Sequence, residues 1–460
     1  MWAVRLLKEV TESNEDGTEG ESDEDDSENE RPIERRLGHR RIHTRQYESM
    51  FGAIEIKRQA YGAPGCASIH PLDKELNLPR RRYSYVLQKH SALLSGRGPF
   101  NEAVQQIAAM TGAHVPNRQM EEIVKDAAVD FEAFYKQRSP RTESADQTGS
   151  ILCIGVDCKG VPKRKTREEK ACPRSVRLKP GEKRTKKKMA TVASVHTTKP
   201  YARTADEVVA NLMEPRPDRP KGKAGKDAPE KKRPRPENRR LWASLRKSKD
   251  EVFDEVVEEM RYRDKDGTKT VVCVMDGERA LQGRALSRLK SAFPAMSIIL
   301  DLMHALEYLW KAAYALCVDE TESVRLWVKE RLRALLGGKV SRVVAGMRQS
   351  ATKQKLSEDE REPVDTACRY FLNNKEYMQY DQYLKAGLPI ASGAVEGACG
   401  HLVKDRMEIT GAFWEVGQDG AEAVLKIRAL DKSNDFEDYW ASHTQQEQLR
   451  RHNRTWRPAF

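Results

Sequence analysis

Three acids, Asp157, Asp276 and Glu396, are the residues in this sequence whose types and placement could do chemistry together. Asp157 follows the apolar run Ile151-Leu-Cys-Ile-Gly-Val156, and Asp276 follows Lys269-Thr-Val-Val-Cys-Val-Met275. Glu396 lies near the start of a helix that Ser392 is placed to cap. Singly, each acid reads as an ordinary strand-ending or turn residue. Jointly, inside a basic chain, they form the donor set of a two-metal phosphoryl-transfer site. In such a site hard carboxylate oxygens hold two Mg2+ (or Mn2+) ions ~4 Å apart, one activating an attacking hydroxyl and the other stabilising a leaving 3′ oxygen. Asp301, after Ser297-Ile-Ile-Leu300, is the rival second ligand, on a strand one position further from Asp157.

The elements that must position these acids read as alternating strand and helix. Met189-Ala-Thr-Val-Ala-Ser-Val-His196 alternates as a strand, residues 204–213 and 252–262 are helical, and a helix from about 279 to 289 precedes the strand ending at Asp301. Cys158-Lys-Gly-Val-Pro162 reads as a turn. In an RNase H arrangement, β-β-β-α-β-α-β, the first and fourth strands are neighbours, so aspartates at their ends face each other. Beyond Asp301 the pattern is helical, with Leu302, Ala305, Leu306, Leu309 and Ala312 on one face. No strand pattern is present from about 317 to 386. His304 shares a helix stripe with Tyr308 and Lys311, which fits a DNA contact, a brace for the site or a structural histidine.

Charge points to the partner. The formal charge is +12, yet residues 11–30 hold eleven acids and no base, which leaves +23 on the rest of the chain. That remainder has the balance of a polyanion binder. Residues 163–188 carry thirteen bases against three acids and include Lys163, Arg164, Lys165, Lys186, Lys187 and Lys188; the reading is nucleic-acid contact. Residues 216–240 carry eleven bases against four acids, interleaved with prolines, and fit a solvated linker equally well. The acidic tract is expected to be disordered. No run of ~20 apolar residues spans a membrane, and the apolar part of the first ten residues is too short for a signal peptide. These features favour a cytoplasmic, nucleoid-associated protein. The eight cysteines form no C-x-x-C pair, which disfavours a zinc site or disulfide framework.

Upstream, Phe100, Ala103, Val104, Ile107 and Ala108 follow helical spacing, Thr111-Gly-Ala-His-Val-Pro116 interrupts it, and a second helix opens at Asn117 as a cap. Two short helices around such a turn fit a helix-turn-helix presenting Asn117, Arg118, Gln119 and Lys125 to DNA. An ordinary helical hairpin fits as well. Lys404 and Arg406 lie beyond Glu396 and join the DNA-binding candidates.

The motifs around these residues resemble DDE transposases of bacterial insertion sequences, most closely the Kra-type group. The resemblance rests on Val272-Cys-Val-Met-Asp276-Gly-Glu, Phe293-Pro294, Ile299-Leu-Asp301-Leu-Met-His304-Ala-Leu-Glu-Tyr-Leu309, and Pro389-Ile-Ala-Ser-Gly393-Ala-Val-Glu396-Gly-Ala-Cys-Gly-His-Leu-Val-Lys404-Asp-Arg406-Met, followed by Gly411, Trp414 and residues 420–430. It covers roughly residues 60 to 430. It implies an α/β, RNase H-like mixed sheet core interrupted by an all-α insertion, with an α-helical N-terminal DNA-binding region. It makes Asp157, Asp276 and Glu396 the DDE triad, and matches Asp301 and His304 to the Asp-x-x-His signature shared with Mutator-like and hAT elements. The 120-residue separation of Asp276 and Glu396 agrees with an insertion. Paired N-terminal cysteines common in relatives are replaced here by Cys66 alone. The expected organisation is a disordered acidic tract (1–45), a helical DNA-binding region (46–140), a first core part (150–316) with a basic insertion at 215–240, a helical insertion (317–388), a second core part (389–432) and a basic C-terminal tail (433–460). The implied partners are terminal inverted repeats and target DNA, bound by a homo-oligomer, a dimer on DNA. The alternatives are a transposase-derived DNA-binding protein without catalysis and an RNase H-like nuclease.

Overall fold

The computed structural model describes residues 39–62, 68–138, 149–164, 186–214, 233–317, 321–415 and 419–452. The acidic tract at 11–30, Lys165 and most of both basic runs lie outside these residues. The chain divides into two units, one of residues 1–46, 55–78 and 454–460 and the other of 47–54 and 79–453.

Strands β1 (His39–Ser49) and β2 (Gly52–Gly62) form a hairpin whose base belongs to the first unit and whose turn belongs to the second. This corrects the expectation of a disordered tract giving way to helix at residue 45. Gly52, at φ +120°, takes a turn conformation that side chains disfavour, and Ile54 and Ile56 alternate inward with Glu55 outward. In the first unit, helix α1 (Pro71–Glu75) contributes Asp73, which Arg45 and Arg58 of the hairpin base both engage.

The second unit opens with helices α2 (Tyr85–Arg97), α3 (Phe100–Thr111), α4 (Asn117–Ala127) and α5 (Phe131–Gln137). A mixed five-stranded sheet follows, from β3 (Ile151–Pro162), β4 (Lys187–Thr198), β5 (Glu237–Ser244), β6 (Thr270–Met275) and β7 (Ser297–Leu300), in the order β5-β4-β3-β6-β7. The β3–β4 and β4–β5 pairs are antiparallel, and the β3–β6 and β6–β7 pairs are parallel. Helix α6 (Ala205–Met213) lies between β4 and β5, α7 (Lys249–Arg263) between β5 and β6, and α8 (Arg279–Arg284) with a π-helical extension (Ala285–Lys290) between β6 and β7. Capping boxes start α6 and α7: Thr204 with Glu207 and Ser248 with Glu251.

Helix α9 (Leu302–Leu316) leaves β7 directly and leads to α10 (Thr321–Leu336), α11 (Val340–Lys353), α12 (Glu358–Asn373) and α13 (Tyr380–Lys385). The described residues between α9 and Gly393 hold no strand. Helix α14 (Gly393–Ala398) then continues through a π-helical stretch (Cys399–Lys404) into α15 (Asp405–Met407), and α16 (Asp419–Ser433) and α17 (Phe436–His452) are the last elements among the described residues.

Both faces of the sheet are covered, which is why Ile151–Val156 reads as an unbroken apolar run. Alternation sends Leu152, Ile154 and Val156 into a core shared with α2, α4 and α16, while Ile151, Cys153, Val272 and Val274 enter a second core with α9 to α12. Each fully buried Leu or Ile there contributes about 1.5–3 kcal/mol of transfer free energy.

Three other expectations need correction. Residues 158–162 are not a turn: they continue β3 as far as Pro162, because Lys187–Thr191 of β4 pairs with them, so Asp157 lies inside its strand. The end of the basic 215–240 segment is strand β5, whose Leu241 and Trp242 are buried and whose Arg240 is held by the buried Glu259. The residues from 433 are not a tail as far as 452, because Phe436, Tyr439, Trp440 and His443 recur at helical spacing and bury one side of α17.

Candidate active site

The parallel β3–β6 ladder pairs Ile151 with Thr270 and ends at Gly155 opposite Val274. Two residues further along, Asp157 and Asp276 stand at corresponding positions on adjacent strands. Period-two alternation turns both toward the side of Gly155 and Val274. Helix α14 crosses this side. A Cβ on Gly155 would lie 2.8 Å from the Cβ of Val395, so the missing side chain is what admits the helix and brings Glu396, the next residue, over the strand ends. One turn beyond Glu396, the Cys399 thiol donates to Asp157 Oδ2 at 3.3 Å. The helix there widens into its π-helical stretch, a departure that recurs at functional sites.

Asp301 is completely buried. One oxygen caps α9 by accepting from the Met303 amide at 2.7 Å, and the other accepts from the Ser392 amide at 2.9 Å and from the Ser392 hydroxyl. Ser392 therefore does not cap α14 with its side chain; its hydroxyl is committed to Asp301, which ties the start of α14 to the start of α9. His304 follows one turn into α9, half-buried. Ligand atoms of Asp301, His304 and Glu396 all lie within 4.8 Å of one another, so this group could hold a metal ion. Asp157 and Asp276 fall outside that group, so the set drawn tightest includes the Asp-x-x-His pair and not the first two acids of the expected triad.

The electrostatics join all five residues. Asp276 has its carboxyl pushed above the usual range by burial, against the Glu278 amide at 2.9 Å that stabilises its anion, with Asp157 raising it further and His304 lowering it. Glu396, exposed on one side, is raised by partial desolvation and by Asp301, lowered by His304, and raised again by Asp157 and Glu307. Asp276 and Glu396 are thus disfavoured as anions, first by burial and then by the neighbouring carboxylates, the situation a divalent cation relieves. The carboxylates suit Mg2+ or Mn2+, and the imidazole extends the choice toward Zn2+ or Fe2+.

The helical insertion reaches the same place. Tyr370 on α12 donates its hydroxyl to the Asp276 carbonyl at 2.6 Å, and its ring stacks on Tyr308 of α9 at 3.9 Å. Sequence reasoning found neither Tyr370, Cys399 nor the Gly155–Val395 contact. Only Ser392 carried a signal, and that signal pointed to a cap.

The DNA-binding candidates separate into three sets. Lys163, Arg164, Lys186, Lys187 and Lys188 lie at the outer end of the β3–β4 hairpin, where the Lys163 amide bonds the Lys186 carbonyl. Lys187 pairs with Glu408, and Lys159 and the exposed Lys404 also act on that carboxylate, holding it below its usual range. Val161 pairs with Lys188 four residues past Asp157, about 13 Å along the strand. In the second set, α4 begins at Asn117 with Pro116 as its N-cap, so Asn117 is not the cap; its amide donates to Asn101. Gln119 accepts from Arg81 at 3.3 Å, Lys125 donates to Glu122 at 3.1 Å, and the exposed Arg118 also acts on the Glu122 carboxylate. The outward face of α4 therefore carries acids among its bases. Arg406 stands alone as a correction: it is buried, bonds the Ser95 carbonyl at 3.1 Å, and lies over the rings of Phe100 and Trp414. Burial, with Arg428 nearby, pulls its guanidinium down to about 10. It packs the core and does not face a ligand.

No protein-family model matches this chain, and no curated protein sequence matches it.

Proposed function

We propose that this protein is a DDE-type DNA transposase with an RNase H-like core, acting on the terminal inverted repeats of an insertion sequence and on target DNA. The observation that carries the reading is the meeting of Asp157 and Asp276 on adjacent parallel strands under a helix that delivers Glu396. The strand order β5-β4-β3-β6-β7, first three strands antiparallel and last two parallel, supports the RNase H-like assignment.

Asp157, Asp276 and Glu396 would hold two Mg2+ (or Mn2+) ions, with Glu396 common to this triad and to the tighter group it forms with Asp301 and His304. Bound there, the ions would activate the attacking oxygen and stabilise the leaving 3′ oxygen. The chain's own residues do the positioning. Asp301 fixes the separation of α9 and α14 through Ser392, Tyr370 holds the backbone of Asp276, and the Cys399 thiol orients Asp157. Strand joining is a direct exchange: a 3′ hydroxyl oxygen bonds a target phosphorus as the phosphorus–3′ oxygen bond of the target breaks, with no enzyme-linked intermediate. The basic end of the β3–β4 hairpin supplies phosphate contacts, and pairing of two ends favours a dimer on DNA.

The test is cleavage and joining by the purified protein, with Mg2+ or Mn2+, on DNA ending in the inverted repeats that flank its gene. Cleavage at the repeat ends and 3′ joining to a plasmid support the reading, and binding without cleavage under either metal overturns it in favour of a DNA-binding derivative. A second reading, with Asp301 in place of Asp276 as a ligand, is favoured by the 4.8 Å grouping of Asp301, His304 and Glu396. Loss of cleavage in Asp301→Asn with cleavage kept in Asp276→Asn would select it.

A further inference from the structure

Beside α14 a groove of about 780 Å³ runs along the sheet, with Gly155, Ser392 and Val395 in its wall near Glu396. Its charge is one-sided. Lys199, Arg203, Arg233, Arg235 and Arg239 line it, and none of the described residues lining it is Asp or Glu. Arg203 is the most telling of these: its Nε is buried and finds no hydrogen-bond partner among the described residues. Its charge is pressed by burial and by Arg233 beside it, and partly relieved by Tyr201 and Glu207. Its Nη2 donates to the Leu388 carbonyl at 3.4 Å and its plane lies over the Tyr201 ring, so the guanidinium is fixed in the groove wall with no carboxylate bonded to it among the described residues.

The groove does not end at Arg239. A second cavity of about 480 Å³ shares Arg235, Pro236 and Arg239 with it and is lined further by Arg138, Arg263 and Lys269 at the opposite end of β6 from Asp276. Behind this cavity, the single buried carboxylate of Glu259 serves three guanidinium groups, Arg138, Arg240 and Arg263. One acid cannot balance three bases, so that end of the path also carries surplus positive charge. The only acid among the described residues of its lining, Asp435, accepts from the Tyr135 hydroxyl at 2.8 Å.

We propose that the two cavities form one track for a single DNA strand, leading from the carboxylate cluster at Glu396 to the far end of the sheet. The inference rests on the function proposed above and names the form of DNA held next to that site. Size favours a single strand: each cavity has the volume of a drug-sized ligand, about one or two nucleotides, and two strands held apart across a ~12 Å major groove exceed that volume. A cationic groove that follows a sugar–phosphate backbone is the usual device for single strands. Duplex contacts fall instead to the protruding lysines at 186–188.

The experiment measures binding of a fluorescein-labelled oligonucleotide by the full chain in EDTA, once as a single strand and once as a duplex. The triple variant Arg233→Ala/Arg235→Ala/Arg239→Ala alters exposed side chains, and an unchanged melting curve checks its fold. Single-strand affinity should fall about tenfold, and its salt dependence should flatten by a slope of about 0.7 for each phosphate no longer neutralised, while duplex affinity stays within about twofold. The variant Lys186→Ala/Lys187→Ala/Lys188→Ala should show the reverse pattern. Unchanged single-strand binding in the arginine variant, or equal loss of both forms, overturns the proposal. Because binding is read without metal, an inactive but strand-binding protein would count against the catalytic reading and leave the track standing.

Discussion

Gly155→Ala is the sharpest test of how the carboxylates are brought together. The new Cβ would lie 2.8 Å from Val395 Cβ and 3.0 Å from its Cγ1, about 1 Å inside normal carbon–carbon contact. Neither neighbour can yield by a side-chain rotation, because the first clash is with Cβ itself. Helix α14 must lift, and Glu396 lifts with it. Overpacking of this kind costs about 1–3 kcal/mol of stability, which leaves the protein folded, whereas a misplacement of about 1 Å at a reacting centre costs about 100-fold in rate. The expected result is end cleavage reduced about 100-fold with end binding within about twofold of wild type. Val395→Gly in the same chain removes the clashing atom and should restore most of the cleavage, at the cost of a few tenths of a kcal/mol of helix propensity relative to valine and of the buried Val395 side chain. Wild-type cleavage by Gly155→Ala alone would refute the argument that this close approach sets the position of Glu396.

Four further outcomes are expected. Asp157→Asn, Asp276→Asn and Glu396→Gln should each lower cleavage and joining by at least about 1000-fold, ~4 kcal/mol, with end binding largely kept; near-normal cleavage by any of them in a single-turnover assay removes that residue from the triad. Tyr370→Phe deletes the 2.6 Å bond to the Asp276 carbonyl and should cost about 1 kcal/mol of transition-state stabilisation, ~5-fold in cleavage, so an unaltered rate would release the insertion from any part in the site. Neutralising Lys186, Lys187 and Lys188 should flatten the salt dependence of duplex binding by a slope of about 0.9 for each phosphate released, and an unchanged slope would make this run a solvated face. Burial alone would raise the Asp130 carboxyl, but bonds from Arg450 and His443 hold it down to about 2. Stability from this group is therefore present above its unfolded value near 4 and is lost as pH falls toward 2, about 2 kcal/mol in all; Asp130→Asn should flatten acid unfolding in that interval, and a parallel profile would contradict the assignment.

Periodicity made much of the second unit legible. The apolar runs at 151–156, 270–275 and 297–300 are strands because their residue types suit a sheet covered on both faces, and the helical spacing from Leu302 onward is α9. Strand β5 escaped because Glu237-Asn-Arg-Arg precedes its apolar half and reads as the end of a basic, proline-rich run. What makes it a strand is distant: β4 pairs with it and Glu259 neutralises Arg240. The β1–β2 hairpin escaped for a related reason, since its strands alternate charged residues with few apolar ones and lack a two-residue Asn-Gly or Asp-Gly turn. Arg406 shows the converse error. In the sequence it groups with Lys404 as a DNA-binding candidate, but on a helix neighbours two apart point about 200° from each other, and only Lys404 is outside.

The candidate site divides along the same line. The acids could be found because each ends or interrupts an apolar run, a local feature, while the contacts that draw them together join residues far apart in the chain: Gly155 with Val395, Asp157 with Cys399, Asp276 with Tyr370. Asp301 combines the two kinds of information. An Asp-x-x-His spacing on a helix puts the aspartate at the N-cap and the histidine one turn inside, so the pair states a local rule that any helix could obey. Here the second Asp301 oxygen is spent on Ser392, and that bond, not the cap, aligns α9 with α14 and sets His304 within reach of Glu396. A substitution of Ser392 by alanine would leave the Ser392 amide bond and the α9 cap in place and remove only the hydroxyl, loosening the alignment without unmaking the helix. If Asp301 is a positioning residue, Ser392→Ala should lower cleavage several-fold with unchanged metal dependence. If Asp301 is itself a ligand, freeing its oxygen should instead alter the Mg2+ or Mn2+ concentration needed for half-maximal cleavage, and that shift decides between the two.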